Sequence, residues 1–203
     1  MRICILADVH NLFHSARQVF SGKVDYSRLL QGIVGDRKLV RAMAYLTSRP
    51  DIDQVGFIDA LVKSGWEARI KESKIHIDSV NGKKSIVSHP PLVEMTMDAL
   101  TIGCKNDCVC LVTGDGALTP LALHLKTTGV KVEVFGIEGQ TSMDLQKAAS
   151  NFKAIRPEWI MPDKKFKTKE EANVTSATSY NPDETEEEEK QPVVPNQPAL
   201  RTL

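Results

Sequence analysis

Two rhythms of apolar and polar positions alternate along the first 155 residues, one suited to buried strands and one to helices. "RICILAD" (2–8) is a nearly unbroken apolar run, the pattern of a strand covered on both faces. "DYSRLLQGIV" (25–34) places Tyr26, Leu29, Leu30 and Ile33 at helical spacing. "KLVRAMAYLT" (38–47) predicts a second strand, and "QVGFIDALVKSG" (54–65) an amphipathic helix closed by Gly65. The rhythm then changes. "WEARIKES" and "KIHIDSV" alternate with period two, and "NGKKSIV" contains an Asn-Gly turn, so a ribbon or edge strands are expected. "PPLVEMTMDALTIG" (90–103) reads as a helix with proline in its first turn and Gly103 beyond its end. "CVCLVTGD" predicts a third principal strand, "ALTPLALHLKTTG" a helix stopped by Gly129, and "KVEVFGI" a fourth strand. "SMDLQKAASNF" predicts a last helix with Ser142 as its N-cap.

Strands separated by helices in this order imply an α/β fold, a mostly parallel sheet with helices on both faces. Ligands of such sheets sit at the carboxyl ends of the strands. Asp8 closes the first strand and Asp115 follows "CVCLVTG", so both acids are expected at that edge. His10 is expected in a loop beside the same pocket.

Composition divides the chain into a domain, 1–156, and a charged tail, 157–203. The tail has few core-forming residues, repeated prolines, a basic cluster at 164–169, a Ser/Thr-rich spacer and the acidic run Glu186–Glu189. It is expected to be disordered in isolation, a solubilising segment or one that binds a protein partner or the domain's own basic face. Residues 1–162 carry 20 Lys and Arg against 17 Asp and Glu, and residues 163–203 carry 6 against 9. A near-neutral domain argues against nucleic-acid binding by overall charge, although a local basic face is compatible with it.

The four cysteines, Cys4, Cys104, Cys108 and Cys110, lack the paired knuckles of a zinc site. Cys108 and Cys110 alternate on one strand, the pattern of buried thiols. No signal peptide is recognised at the N-terminus, and no stretch approaches the apolar length of a membrane helix. The expectation is a soluble, cytoplasmic protein without a membrane partner.

Phosphodiester hydrolysis with Mg²⁺ or Mn²⁺ needs hard oxygen ligands converging on one pocket. The candidates are Asp8, Glu94, Asp98 and Asp115, with Glu94 and Asp98 four apart on one helix face. The competing reading of Glu94 and Asp98 is a solvated face. Asp8 and His10 also open a metallophosphoesterase-like D-x-H. Yet His14, His76, His89 and His124 all lack the Gly-Asn-His context which that chemistry requires. "DVHNLFHSA" contains no glycine, which argues against a dinucleotide cradle.

The series of motifs resembles a LabA-like NYN domain of the PIN-like nuclease superfamily. "DVHN" (8–11) matches the family's opening D-G-x-N, "DYSRLL" its next helix, and "RAMAY" (41–45) its second strand. "HPPLVEMTMDAL" (89–100) matches "KGVDVELAIDAL", and "TGDGALTPLALHLKTTGVKVEVFG" (113–136) matches "SGDGDFxPLxxxLxxxGxxVEVxG". The resemblance covers about residues 2–155. It implies a metal-dependent ribonuclease in which Asp8, Asp98 and Asp115 hold Mg²⁺ or Mn²⁺, while Asn11 and Thr113 surround the pocket. It also brings a homodimer into view by family analogy. Two family acids are absent, replaced by Leu92 and Ala117. The alternative is therefore a catalytically inactive NYN fold that binds RNA or a protein partner, with Glu94 compensating only if it pairs with Asp98. Candidate phosphate contacts are Arg37, Lys38, Arg41, Lys83 and Lys84. Trp66 is expected in the core.

Overall fold

The computed structural model describes residues 1–50, 52–77, 84–87 and 89–162, with backbone alone for 75–77 and 84–87. The Asn-Gly turn, Lys83 and the tail beyond residue 162 lie outside the described residues.

A six-stranded sheet forms the centre. Its strands are β1 (Arg2–Asp8), β3 (Lys38–Ser48), β4 (Glu67–Glu72), β7 (Cys108–Val112), β8 (Lys131–Gly136) and β9 (Asn151–Ala154). The order is β4-β3-β1-β7-β8-β9, and every neighbouring pair is parallel. β1 and β7 lie inside the sheet, which explains their unbroken apolar runs. Alternate side chains feed two cores. Ile3, Ile5 and Ala7 face α1 (Val9–Phe20), α2 (Tyr26–Val34) and α3 (Val55–Lys63), whereas Cys4 and Leu6 face α4 (Leu92–Thr101), α5 (Thr119–Thr127) and α6 (Met143–Ala148). The expected α/β architecture with helices on both faces is what the chain adopts.

Two short ribbons lie outside the sheet. β5 (Lys74–Ile77) pairs with β6 (Lys84–Val87), as the period-two pattern predicts. β2 (Gly22–Val24) pairs with β10 (Ile160–Pro162), which the sequence pattern did not predict. Residues 157–162, assigned by composition to the tail, thus extend the ordered fold. Trp159 is the cause: its indole is buried against Gly32 of α2, and its carbonyl accepts from Asp25 N at 2.8 Å.

Two further expectations are corrected. The segment after Asp8 is not a loop but the helix α1. Asp8 caps it by accepting from Asn11 N at 3.0 Å, and Val9, Leu12 and Ala16 bury one face. The last helix ends at Ala148, because Ala149 is extended (φ −64°, ψ 158°) and Asn151–Ala154 joins β8 as an edge strand.

Gly32 makes one stability prediction. Alanine is the better helix former by about 1 kcal/mol, but a Cβ here would overlap the Trp159 ring. Gly32→Ala is therefore expected to lose about 1–3 kcal/mol in urea unfolding. Pairing it with Trp159→Leu should recover part of the loss, and independent costs in that double variant would refute the contact.

Candidate active site

The carboxyl edge of β1 and β7 assembles the first group of polar residues. Asp8, only 2% exposed, ends β1, and Thr113, fully buried, follows β7. The Thr113 hydroxyl donates to Asp8 Oδ2 at 3.5 Å and accepts from Asp115 N at 3.1 Å. Asn11, one turn into α1, accepts from Gly114 N through Oδ1 at 2.7 Å. Asp115 caps the following 3₁₀ turn by accepting from Ala117 N at 2.8 Å. The loop has no room for a side chain at Gly114, where a Cβ would meet the Gln140 carbonyl at 2.6 Å. That close approach fixes the backbone carrying Asp115.

The electrostatics around Asp8 follow from its burial. Burial pushes the Asp8 carboxyl above its usual range, the backbone N–H of Asn11 and the neighbouring His10 oppose the shift, and the Asp115 charge adds to it. Among the described residues no Lys or Arg pairs with Asp8. Each carboxylate has one oxygen held by a backbone N–H and retains acceptor capacity on the other.

Asp98 and Glu94 lie on α4. Both line a groove of about 540 Å³ between α4 and the edge strand β4, with Tyr45, Arg69, Lys71, Val93 and Met97. Asp98 accepts from the Tyr45 hydroxyl at 2.8 Å and pairs with Arg69 at 3.5 Å. Glu94 pairs with Lys71 at 2.9 Å rather than with Asp98, and that hydrogen bond holds its carboxyl below the usual range. The acceptor atoms of Asp8, Asp98 and Asp115 do not all lie within 4.8 Å of one another. Neither replacement restores an acid: Leu92 packs on the core and Ala117 is exposed.

His10 is exposed in the first turn of α1, its ring 4.4 Å from that of His14. Arg37 and Arg41 are engaged in ion pairs with Glu133 and Glu67. Lys38 begins β3, at the end of the sheet away from Asp8, while Lys84 begins β6. Trp66 is buried as expected, its indole N–H donating to the Tyr26 carbonyl at 2.9 Å.

Among the described residues, Cys108, Cys110 and Glu133 are the one set of three ligand-type side chains within 4.8 Å. Arg37, Lys131 and Lys153 already surround that carboxylate, which makes the set a poor cradle for a cation. Asp8 and Asp115 offer hard oxygen donors, and among the described residues no Lys or Arg is paired with Asp8, so they fit Mg²⁺ or Mn²⁺ better.

A parallel sheet with helices on both faces and acids at its carboxyl edge defines a PIN-like domain. The chain belongs to the NYN domain family, whose model matches residues 2–156, and within it the chain is LabA-like. It is 27% identical over 153 residues to the Low amplitude and bright protein LabA of Synechococcus elongatus, covering 74% of this chain and 82% of that protein. A solved structure of a protein of unknown function from Vibrio parahaemolyticus superposes with a TM-score of 0.67. It is 29% identical and covers 79% of this chain and 96% of its own. No helix among the described residues is long and apolar enough to cross a membrane.

Proposed function

We propose that this chain is a metal-dependent ribonuclease whose reaction centre is the Asp8–Asp115 pocket. The supporting observation is a buried carboxylate beside a second carboxylate, with no Lys or Arg paired to it among the described residues. Two such charges are held together at lower cost when a cation joins them. Asp8 and Asp115 would hold Mg²⁺ or Mn²⁺, which supplies a Lewis acid and an activated water when bound. The Thr113 hydroxyl links the two acids, and Asn11 fixes the loop between them. His10, exposed in the first turn of α1 two residues from Asp8, would meet a phosphate. Asp98 and Glu94 act one step away, holding Arg69 and Lys71 along the adjoining groove.

A second reading has its own observation. Leu92 and Ala117 supply no oxygen ligand, and Asp98 and Glu94 are committed to cations. That arrangement favours an NYN fold that holds RNA without cutting it.

Incubation of the full chain with mixed single-stranded and structured RNA, in Mn²⁺ and in EDTA, separates the two. Cleavage in Mn²⁺ that stops in EDTA is the expected result. Retention on a filter without cleavage in either Mg²⁺ or Mn²⁺ would transfer the assignment to the second reading. Neither cleavage nor retention would overturn both and direct attention to a protein partner.

A further inference from the structure

Gly114, Gly116 and Gly136 surround the Asp115 loop, and none of them has a positive φ, so backbone conformation does not require glycine there. Space does, and in each case the same short segment, residues 140–142, takes it. A Cβ at Gly136 would overlap the Thr141 hydroxyl, and one at Gly114 would meet the Gln140 carbonyl at 2.6 Å. One at Gly116 would lie 2.8 Å from Ser142 Oγ and 3.1 Å from Ser142 Cβ.

The chain reaches this place by a turn after β8. Gln140 N donates to the Ile137 carbonyl at 3.0 Å, with Gly139 at φ 76° inside the turn. Thr141, 7% exposed, pins that turn by donating from Oγ1 to the same carbonyl at 2.9 Å. Ser142 N then donates to the Gly114 carbonyl at 3.0 Å, while Gly114 N is held by Asn11. Both polar atoms of the residue before Asp115 are thus gripped. Ser142 takes the N-cap position predicted for it, yet its hydroxyl makes no cap bond and lies against Gly116 instead.

Residues that hold a ligand-bearing loop still set the affinity of a metal site almost as much as the ligands do. Leu92 and Ala117 add no oxygen here, so the aim of the acids that are present counts for more. We propose that residues 140–142 are the positioning segment of the cation site, with Thr141 as its pin, aiming Asp115 through Gly114 and Gly116. The proposal rests on the ribonuclease reading and adds the part of the chain that sets its metal affinity. Thr141 acts through Asp115 and touches neither the ion nor RNA.

The test is isothermal titration of Mn²⁺ into the full chain, with kcat and KM for RNA cleavage beside it. Thr141→Val keeps the shape and deletes the hydroxyl. It is expected to weaken Mn²⁺ binding about ten-fold and to lower kcat with KM for RNA unchanged. Thr141→Ser keeps the hydroxyl and is expected to restore Mn²⁺ binding. Gly116→Ala is expected to weaken Mn²⁺ binding as well, and adding Ser142→Gly, which empties the space beside it, to recover the loss. Gly32→Ala, which strains the fold at Trp159, is the control and should leave Mn²⁺ affinity unchanged. Mn²⁺ binding that is equal in wild type and Thr141→Val, or weakened as much by Gly32→Ala, would overturn the positioning role and leave the ribonuclease reading standing. A double variant no better than Gly116→Ala would overturn it too. A wild-type chain that takes up no Mn²⁺ would overturn the ribonuclease reading and this role together.

Discussion

Asp8→Asn is expected to abolish Mn²⁺-dependent cleavage while raising the melting temperature of the fold. The two effects have one cause. Asp8 is buried beside Asp115 and its carboxyl is shifted upward, so the folded chain holds that proton more tightly than the unfolded chain. The sign follows from linkage: with the folded value raised, this group's contribution is most favourable at low pH and declines as pH rises through the shifted range. Asparagine keeps the helix-capping oxygen, has no charge to desolvate and removes the repulsion from Asp115. Each kcal/mol gained raises Tm by about 2–4 °C in a domain of this size. The same substitution removes a metal ligand, for which the expected loss of rate is on the order of 1,000-fold. Mn²⁺ at about 100 times its dissociation constant should stabilise wild type by about 2.7 kcal/mol and leave the variant unmoved. Thermal melts with and without Mn²⁺ check this without reference to activity. A variant that is less stable than wild type at pH 7, or equally stabilised by Mn²⁺, would sink the account.

That prediction depends on Asp8 and Asp115, two acids whose place was legible from the chain because each follows an unbroken apolar strand. β1 and β7 are buried on both faces, so their side chains leave no ambiguity of face. α1 was less legible. Its first turn shares residues with the "DVHN" motif, and its outer face mixes histidine, phenylalanine and arginine rather than the usual long polar residues. The helical signal was nonetheless present in Val9, Leu12 and Ala16 behind a capping aspartate. β9 was hidden because a four-residue edge strand with one half-buried and three exposed side chains has no periodicity to distinguish it from a fraying helix. Trp159 was hidden by its surroundings, a lone anchor in a proline-rich, charged stretch that docks on Gly32, far away in the chain. The site shows the same division. Asp98 and Glu94 do share a helix face, as their spacing implies, but their partners Arg69 and Lys71 come from β4. Likewise Arg37 and Arg41 look like free cations in the sequence and find Glu133 and Glu67 only across the sheet. Spacing along a chain identifies a face; which charges meet on it is decided by strand register.

Glu133 carries the second large prediction, and here the ionic partners determine the sign. It lies on β8 at 2% exposure and meets Arg37 at 2.8 Å, Lys131 at 3.0 Å and Lys153 at 3.1 Å. Burial alone would raise its carboxyl, but hydrogen bonds from Lys131, Lys153 and Arg37 overcome that and bring it down to about 2. Arg37 also donates to the Val34 and Ile33 carbonyls, so this cluster ties the carboxyl end of α2 to β8. Glu133→Gln keeps the shape and removes the charge. Lys131 and Lys153 are half-exposed and can turn to water, whereas Arg37, 16% exposed, is left with its charge uncompensated. The expected loss is therefore near the lower end of that for breaking a buried pair, about 3 kcal/mol at pH 7. Because the folded pKa is depressed, the native contribution is complete above the unfolded value near 4.5 and is lost as pH falls toward about 2. Urea unfolding of wild type and variant should thus differ most at neutral pH and converge as pH falls from about 4.5 to about 2. A gap that stays constant over that window would mean that the glutamine destabilises by packing. A gap that closes would show that the buried charge, held by three cations, fastens α2 to the sheet.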